Sequence, residues 1–589
     1  MPTTSRPDES RPTGRRGSPV LRLRIGLLLI AVVLSFFAAR LLQLQGLDPK
    51  SYADMADAKD VVEMTLPAAR GDILDRNGVA LAGSVNGRMI IADPFRTASK
   101  APELATLLSN ELDLDYFETL EKLRKENSRF QYIARRVPAA DARELLDKLA
   151  KAKLKGISTE DEPIRDYPAG DVAANLVGFM GTDEPLAGFE RSFDAHLSGK
   201  DGESRYTQGF GYRVPLAENS TVAPVDGDDL RTTIDRDLQW YSQKVIAQAV
   251  EDYRAKSGVA VVMDSRTGEL LAVADAPTFN ANKPLESDED DLGSRAFNDV
   301  FEPGSVQKVL TAAALVDAGK VTARTRIKVP AQLRRQDRPI NDWFTHGVLR
   351  MTMAGVIAQS SNIGTVLAAD QLDKRTLHRY LSGFGLGLPT DVGVRGEARG
   401  LLPSPEQMTA QNKDRIAFGQ SLSVNAVQMT AAVNTIANGG VRVSPSLVAG
   451  SATTDEGVEV GSDHATRTRV VSEKAAHETM LMMERVVDDE VGVAPRAQVP
   501  GYRVAGKTGT AQRVGENGGY DGSFSLSFGG FAPADDPRFT VYVVIHAPAV
   551  DGGGGSVGGP AFSKIMARAL SHYGVPPTGS KPSRTPVEW

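Results

Sequence analysis

Pro303-Gly304-Ser305-Val306-Gln307-Lys308 lies near the middle of the chain and decides how the rest is read. The Pro-Gly pair breaks whatever precedes it. A helical run follows at once, Ser305 to Ala318, rich in Ala, Val and Leu and closed by Gly319. Ser305 therefore stands at a helix N-terminus, and Lys308 lies one turn on, on the same face. A serine hydroxyl becomes a nucleophile when a neighbouring base takes its proton. A lysine amine serves if burial or a second cation holds it neutral. The helix start adds backbone N–H groups and a positive dipole end.

Taken alone, a serine at a helix start is usually a cap, and four-residue matches arise by chance. Two further stretches change that reading. Ser360-Ser361-Asn362 follows, and then Lys507-Thr508-Gly509-Thr510. Three such elements in this order form the signature shared by penicillin-binding proteins and class A β-lactamases.

The 589 residues leave room for several domains. With 41% hydrophobic and 24% charged residues the composition is that of ordinary globular protein. A net charge of −6 excludes a nucleic-acid binder for the chain as a whole. Cys is absent, which rules out disulfides and Cys-ligated metals, and the seven His form no metal-spaced cluster. No metal site and no cofactor are expected.

Residues 1–22 are expected to form a cytoplasmic basic tail. Over residues 1–24, Arg6, Arg11, Arg15, Arg16, Arg22 and Arg24 stand against only Asp8 and Glu9. An apolar run from Ile25 to Ala39 follows. Counted from Leu23 to Leu44, with Arg24 and Arg40 snorkelling, the stretch reaches the roughly 20 residues that a bilayer needs. No small-x-small cleavage signature follows it, so an uncleaved transmembrane helix over 23–44 is expected rather than a signal peptide. The positive-inside rule keeps the tail in the cytoplasm and places the rest outside the membrane.

Residues 45–225 read as a mixed, non-catalytic pedestal. Arg70–Gly78 reads as strand with a hairpin turn at Asn77-Gly78. Residues 101–127 and 139–152 read as amphipathic helices. Residues 226–575 read as a single α+β domain. A helix is expected near 236–255, a hairpin from Val259–Met263 and Glu269–Ala274, and helices through 305–440. Strands are expected at Phe524–Phe531 and Arg538–Ile545, with a closing helix at Ala561–Ser571. Strands at both ends with helices between predict a central antiparallel sheet built from distant segments. The Pro-rich tail, 576–589, is expected to be disordered.

With the three motifs in hand, the chain resembles a class B penicillin-binding protein, a monofunctional peptidoglycan D,D-transpeptidase, most like the division-type (FtsI-like) branch. Arg70–Gly78 is similar to the family's R-G-x-I-x-D-R-x-G element. Gly188-Phe189-Glu190 with Leu197-x-Gly199-x-x-Gly202 is similar to its G-x-E…L-x-G-x-x-G element. Ala417-Phe418-Gly419-Gln420 and Gln428 match its G-Q-x…Q segment, and Lys507–Gln512 the extended third motif. The chain departs from the family at Phe189, where Leu is usual. It departs again at Val306-Gln307, where Thr-Phe or Thr-Met is frequent.

The resemblance implies the roles. Ser305 attacks the penultimate D-Ala carbonyl of a donor stem peptide, with Lys308 as base. Ser360 relays a proton to the leaving amine, and Asn362 holds Lys308 and the substrate amide. Lys507 supplies positive charge, while Thr508 and Thr510, flanking Gly509, bind the donor carboxylate. Backbone N–H groups of Ser305 and Thr510 form the oxyanion hole. The resemblance also implies β-lactam antibiotics as ligands, and a SEDS-type membrane glycosyltransferase and other divisome proteins as partners at the septum.

Three alternatives remain at this stage. A D,D-carboxypeptidase or β-lactamase would use water in place of an amine, but no candidate deacylation Glu is evident. A catalytically silent scaffold or antibiotic sensor would lack an output domain in so short a tail. An elongation-type class B enzyme would share the chemistry and differ in partners.

Overall fold

The computed structural model describes residues 19–42, 60–209, 212–213, 220–336, 338–515 and 517–589. The expected tail over 1–22 lies, up to residue 18, outside the described residues. Two compact units divide the chain. One is Met1–Leu66 with Gly202–Ala223, the other Pro67–Asp201 with Pro224–Trp589.

In the first unit a helix spans Pro19–Leu42. Its Leu23–Leu42 stretch has a mean hydropathy of 2.5 over 20 residues, long and apolar enough to cross a membrane. Strand Gly202–Gly209 pairs antiparallel with Asp60–Leu66, Ser220–Val222 and Tyr212–Arg213.

In the second unit, residues on either side of the expected boundary at residue 225 pack together. Ile73–Leu74 pairs in parallel with Leu230–Arg231, and antiparallel with Ala80–Val85 in the expected hairpin. Ile73, Leu81, Phe189 and Phe193 share one buried core with Leu230, Val261, Phe528 and Leu570. The motifs at Arg70 and Glu190 meet here. Fully buried Glu190 accepts from Arg70 at 2.6 Å and from Arg165 at 2.7 Å. Removing one partner of a buried ion pair strands the others. Glu190→Gln is therefore expected to lower stability by about 3–5 kcal/mol in thermal unfolding, and a loss under about 1 kcal/mol would contradict this account.

A second, smaller core joins Ile90, Leu104, Leu123, Leu145 and Leu149. Here helices cover a sheet of Gln131–Pro138, Gly87–Ala92 and Ile157–Asp161. The single helix expected over 101–127 is two, Ala101–Leu112 and Tyr116–Leu123. Asp113 enters the left-handed region at φ 52°, and Asp115 caps the second helix through the Glu118 N–H.

The site rests on a five-stranded antiparallel sheet. Its order is Leu270–Ala276, Ser257–Asp264, Phe539–His546, Tyr520–Ala532, Ala505–Val514. The inner strands Ser257–Asp264 and Phe539–His546 are buried along their whole length, so both sheet faces are covered. Helices Arg236–Asp252 and Gly554–His572 pack together on one face, and Ala426–Ala437 covers the other. The closing helix starts seven residues before the expected Ala561. Glycine lowers helix propensity, which is why this stretch reads as loop. Packing overrides that preference, since a Cβ at Gly554 would come within 2.4 Å of the Gly509 and Ser527 carbonyl oxygens.

The expectation of a disordered tail differs from the structure. Thr352 donates its N–H to Val587 O at 3.0 Å and its hydroxyl to Pro586 O at 2.5 Å. The Trp589 indole donates to Met351 O at 3.0 Å, with the Arg326 and Arg350 guanidiniums 5.0 and 5.6 Å from its rings. Composition alone suggests disorder, but tertiary partners supply hydrogen bonds to a tail that stays largely exposed.

Candidate active site

Ser305 occupies a 3-10 turn, Gly304–Val306, that opens directly into the helix Gln307–Asp317. Ser305 is the N-cap of neither element, those positions being Pro303 for the turn and Val306 for the helix. Ser305 is partly exposed, whereas Val306, Gln307 and Lys308 are fully buried. The turn is clamped from two sides. Gly304 donates its N–H to Gly419 O at 2.9 Å, and a Cβ at Gly419 would lie 1.9 Å from Gly304 O. Gly304 itself has φ +54°, and a Cβ there would come 2.7 Å from Thr510 O. The Ala417–Gln420 element is thus a buttress that holds the serine turn against the edge strand. Gln428 serves at one remove. It completes a capping box with Asn425 and donates to Leu388 O at 2.6 Å and Arg399 O at 2.8 Å.

Ser360 links the second and third motifs to the first. It sits between helices Met353–Ala358 and Asn362–Ala369 with φ +59°, a strained conformation for a side-chain-bearing residue. Lys308 Nζ donates to Ser360 O at 2.6 Å and lies 3.3 Å from its Oγ. Lys507 Nζ donates to the same Oγ at 2.9 Å and to Thr508 Oγ1 at 3.0 Å. One hydroxyl therefore bridges two fully buried lysines.

Burial drives the Lys308 amine down to about 7, partly offset by the nearby Asp342 carboxylate. Burial, together with repulsion from Lys308, holds Lys507 well below the usual lysine range. The two titrate as a pair, and a full charge on one is favoured when the other is neutral.

A cleft of about 720 Å³ receives Ser305, Ser360, Asn362, Thr508 and Thr510, with Trp343, Arg415, Phe418 and Gln512 among its other walls. Gly509 lies behind, where a Cβ would meet the Ser527 hydroxyl at 2.1 Å. The expected residues thus converge, with one difference. The Asn362 amide donates to Asn341 O at 3.0 Å and not to Lys308, because the Asn362–Ala369 helix is docked on the loop carrying Asn341 and Asp342. That loop went unnoticed in the sequence, which has no motif there. Gln307 is another surprise, fully buried with neither amide atom bonded among the described residues.

A partly exposed serine sharing its cleft with a hydroxyl that contacts two lysines of suppressed charge, against the edge strand of an antiparallel sheet, is the arrangement of a serine-type acyltransferase. Residues 258–567 match the penicillin binding protein transpeptidase domain, and residues 65–185 the penicillin-binding protein dimerisation domain. The penicillin-binding protein PbpB of Mycolicibacterium smegmatis is 34% identical, over 95% of this chain and 92% of that protein. The peptidoglycan D,D-transpeptidase FtsI of Escherichia coli is 31% identical over 94% and 92%. The crystal structure of penicillin binding protein 3 from Mycobacterium tuberculosis, complexed with aztreonam, superposes with a TM-score of 0.69. It is 30% identical and covers 89% of this chain and all of that one. The chain belongs to the penicillin-binding protein transpeptidase family, as a class B member with FtsI-like relatives, and is a serine-type D,D-transpeptidase.

Proposed function

We propose that this chain cross-links peptidoglycan stem peptides through an acyl-enzyme on Ser305 during septal wall synthesis, and that β-lactams inactivate it at that serine. The observation that carries the reading is the Ser360 hydroxyl joined to both buried lysines in the cleft that holds Ser305. Ser305 Oγ attacks the penultimate D-Ala carbonyl as neutral Lys308 takes its proton. The oxyanion is received by the Ser305 and Thr510 N–H groups. Collapse breaks the amide bond, and the proton passes from Lys308 through Ser360 to the leaving D-Ala amine. Lys507, Thr508 and Thr510 hold the donor carboxylate, and the donor backbone adds to the edge strand. The amine of a second stem peptide then displaces Ser305, which regains its proton.

The test is a purified-enzyme assay with a donor ending in D-Ala-D-Ala and an amine acceptor. A cross-linked product matching the D-Ala released is expected. Release of D-Ala with only hydrolysed donor would assign a carboxypeptidase instead.

The apolar helix supports a membrane anchor with the N-terminus in the cytoplasm and the catalytic domain outside. The intact chain is expected to stay with membranes through a high-salt wash, and a mature N-terminus mapped between residues 35 and 50 would show cleavage instead. The FtsI-like relatives support the division septum, a SEDS-type glycosyltransferase contacted through residues 20–225, and divisome partners. Midcell enrichment of a tagged copy is expected, whereas side-wall or polar signal would assign the elongation branch.

A further inference from the structure

Strand Leu349–Thr352 pairs with Arg326–Val329 along one edge. Residues 587–589 take its other edge. The Thr352 N–H donates to Val587 O at 3.0 Å, the Trp589 N–H donates to Arg350 O at 3.2 Å, and Met351 faces Glu588 in an antiparallel bridge. The tail is thus a third strand of this small sheet. The Trp589 indole adds its own bond to Met351 O beside the Arg326 and Arg350 guanidiniums. The segment leading there is tied down as well. Ser583 donates its N–H to Glu484 Oε2 at 2.8 Å, and its carbonyl accepts from Arg485 at 3.1 Å.

Thr352 connects this strand to the second motif. It is 3% exposed and N-caps the helix Met353–Ala358, its hydroxyl oxygen accepting from the Gly355 N–H at 3.1 Å while its proton goes to Pro586 O. The tail therefore holds both the main chain and the capping side chain at the start of that helix. Gly355 lets it approach. A Cβ there would lie 1.9 Å from Val587 O, and the next two nearest atoms are also of Val587.

The helix is six residues long, and Ser360 follows it directly after Gln359. The Gln359 N–H donates to Gly355 O at 2.9 Å and the Ser360 N–H to Ile357 O at 3.2 Å, so the placement of the helix passes to Ser360. Ser360 stands at φ +59°, a conformation that persists only where the surroundings over-determine it. Its hydroxyl must meet Lys308 from one element and Lys507 from another. A small shift at the helix start opens one of these contacts, and misplacement by about 1 Å slows a reaction by up to about 10²-fold.

We propose that residues 586–589 are a positioning segment for acylation: seated as a third strand, they fix the start of the helix Met353–Ala358 and so hold the Ser360 hydroxyl between the two lysines. The inference rests on the reading of Ser360 as the proton relay. Unseating the segment leaves Ser305, Lys308 and the edge strand in place, so proton transfer slows while ligand binding does not.

The test follows labelling by a fluorescent penicillin over a range of concentrations. It reads the limiting acylation rate constant, the half-saturating concentration and the fraction labelled at the end. Deleting residues 586–589 is expected to lower the limiting rate about tenfold, with the half-saturating concentration and the final fraction unchanged. Gly355→Ala in the full chain, whose Cβ evicts Val587, is expected to do the same, and both changes together to do no more than either alone. Trp589→Ala in the full chain is expected to give a smaller drop in the same constant. An unchanged limiting rate, or a smaller labelled fraction that reacts at the wild-type rate, would make the tail merely structural and overturn the proposal. Effects that multiply in the double variant would overturn it as well. Ser360→Ala acylated at the wild-type rate would instead overturn the relay reading, and this inference with it.

Discussion

Ser305→Ala is expected to abolish covalent β-lactam labelling while the fold stays intact. The strained amide of a β-lactam mimics the acyl donor, so the label reports the first half of the reaction. Without Oγ there is no atom to carry the acyl group, and the expected loss is complete. The fold survives because Ser305 is the N-cap of neither the turn nor the helix, those positions being Pro303 and Val306. Its turn is held by the Gly304–Gly419 contact and by packing on Thr510. Loss of even a working cap would cost only about 1 kcal/mol. Mass spectrometry of the labelled peptide, with a thermal unfolding curve for each protein, checks both halves. A penicilloyl group on another residue, or full labelling of the variant, would overturn the assignment.

Replacing Lys308 has the second largest expected effect. Lys308→Ala is expected to slow acylation by about 10²-fold or more, the usual scale for a lost general base. Wild-type acylation is expected to rise with pH through about 7, because only the neutral amine accepts a proton and burial brings Lys308 to that value. Below it the ammonium form dominates and the rate falls. The variant loses this limb and responds only weakly to pH. Stopped-flow or gel-based labelling at several pH values would show it. A variant within about tenfold of wild type, or a wild-type rate that falls on going from acid to neutral pH, would remove Lys308 from the base role.

Much of the candidate site was legible because the proposed chemistry demands particular residue types at particular places. Ser305 and Lys308 share a helix face, and their spacing carries that information. The hairpin of Ser257–Asp264 with Leu270–Ala276 and the strand ending at Ala532 were legible from runs of apolar residues bounded by turns. Positions whose role depends on a distant partner were not. Nothing local marks Gly419 as the residue on which the Gly304 turn rests. The glycine-rich start of the closing helix and the Pro-rich tail were misread for the same reason. Local propensity favours loop at both, and tertiary contacts outweigh it.

The sequence by itself determined the reaction class, the candidate serine and lysines and the apolar N-terminal segment, since each is written in residue identity and short spacing. The tertiary structure alone decided how charge is distributed among them. Lys308 and Lys507 are far apart in the chain, and only folding brings both to the Ser360 hydroxyl. Folding also turns Ser360 into a left-handed conformation and seats Asp342 and His346 beside the cluster. Burial and pairing set the protonation of an amine, and both are properties of the packed molecule rather than of the order of its residues.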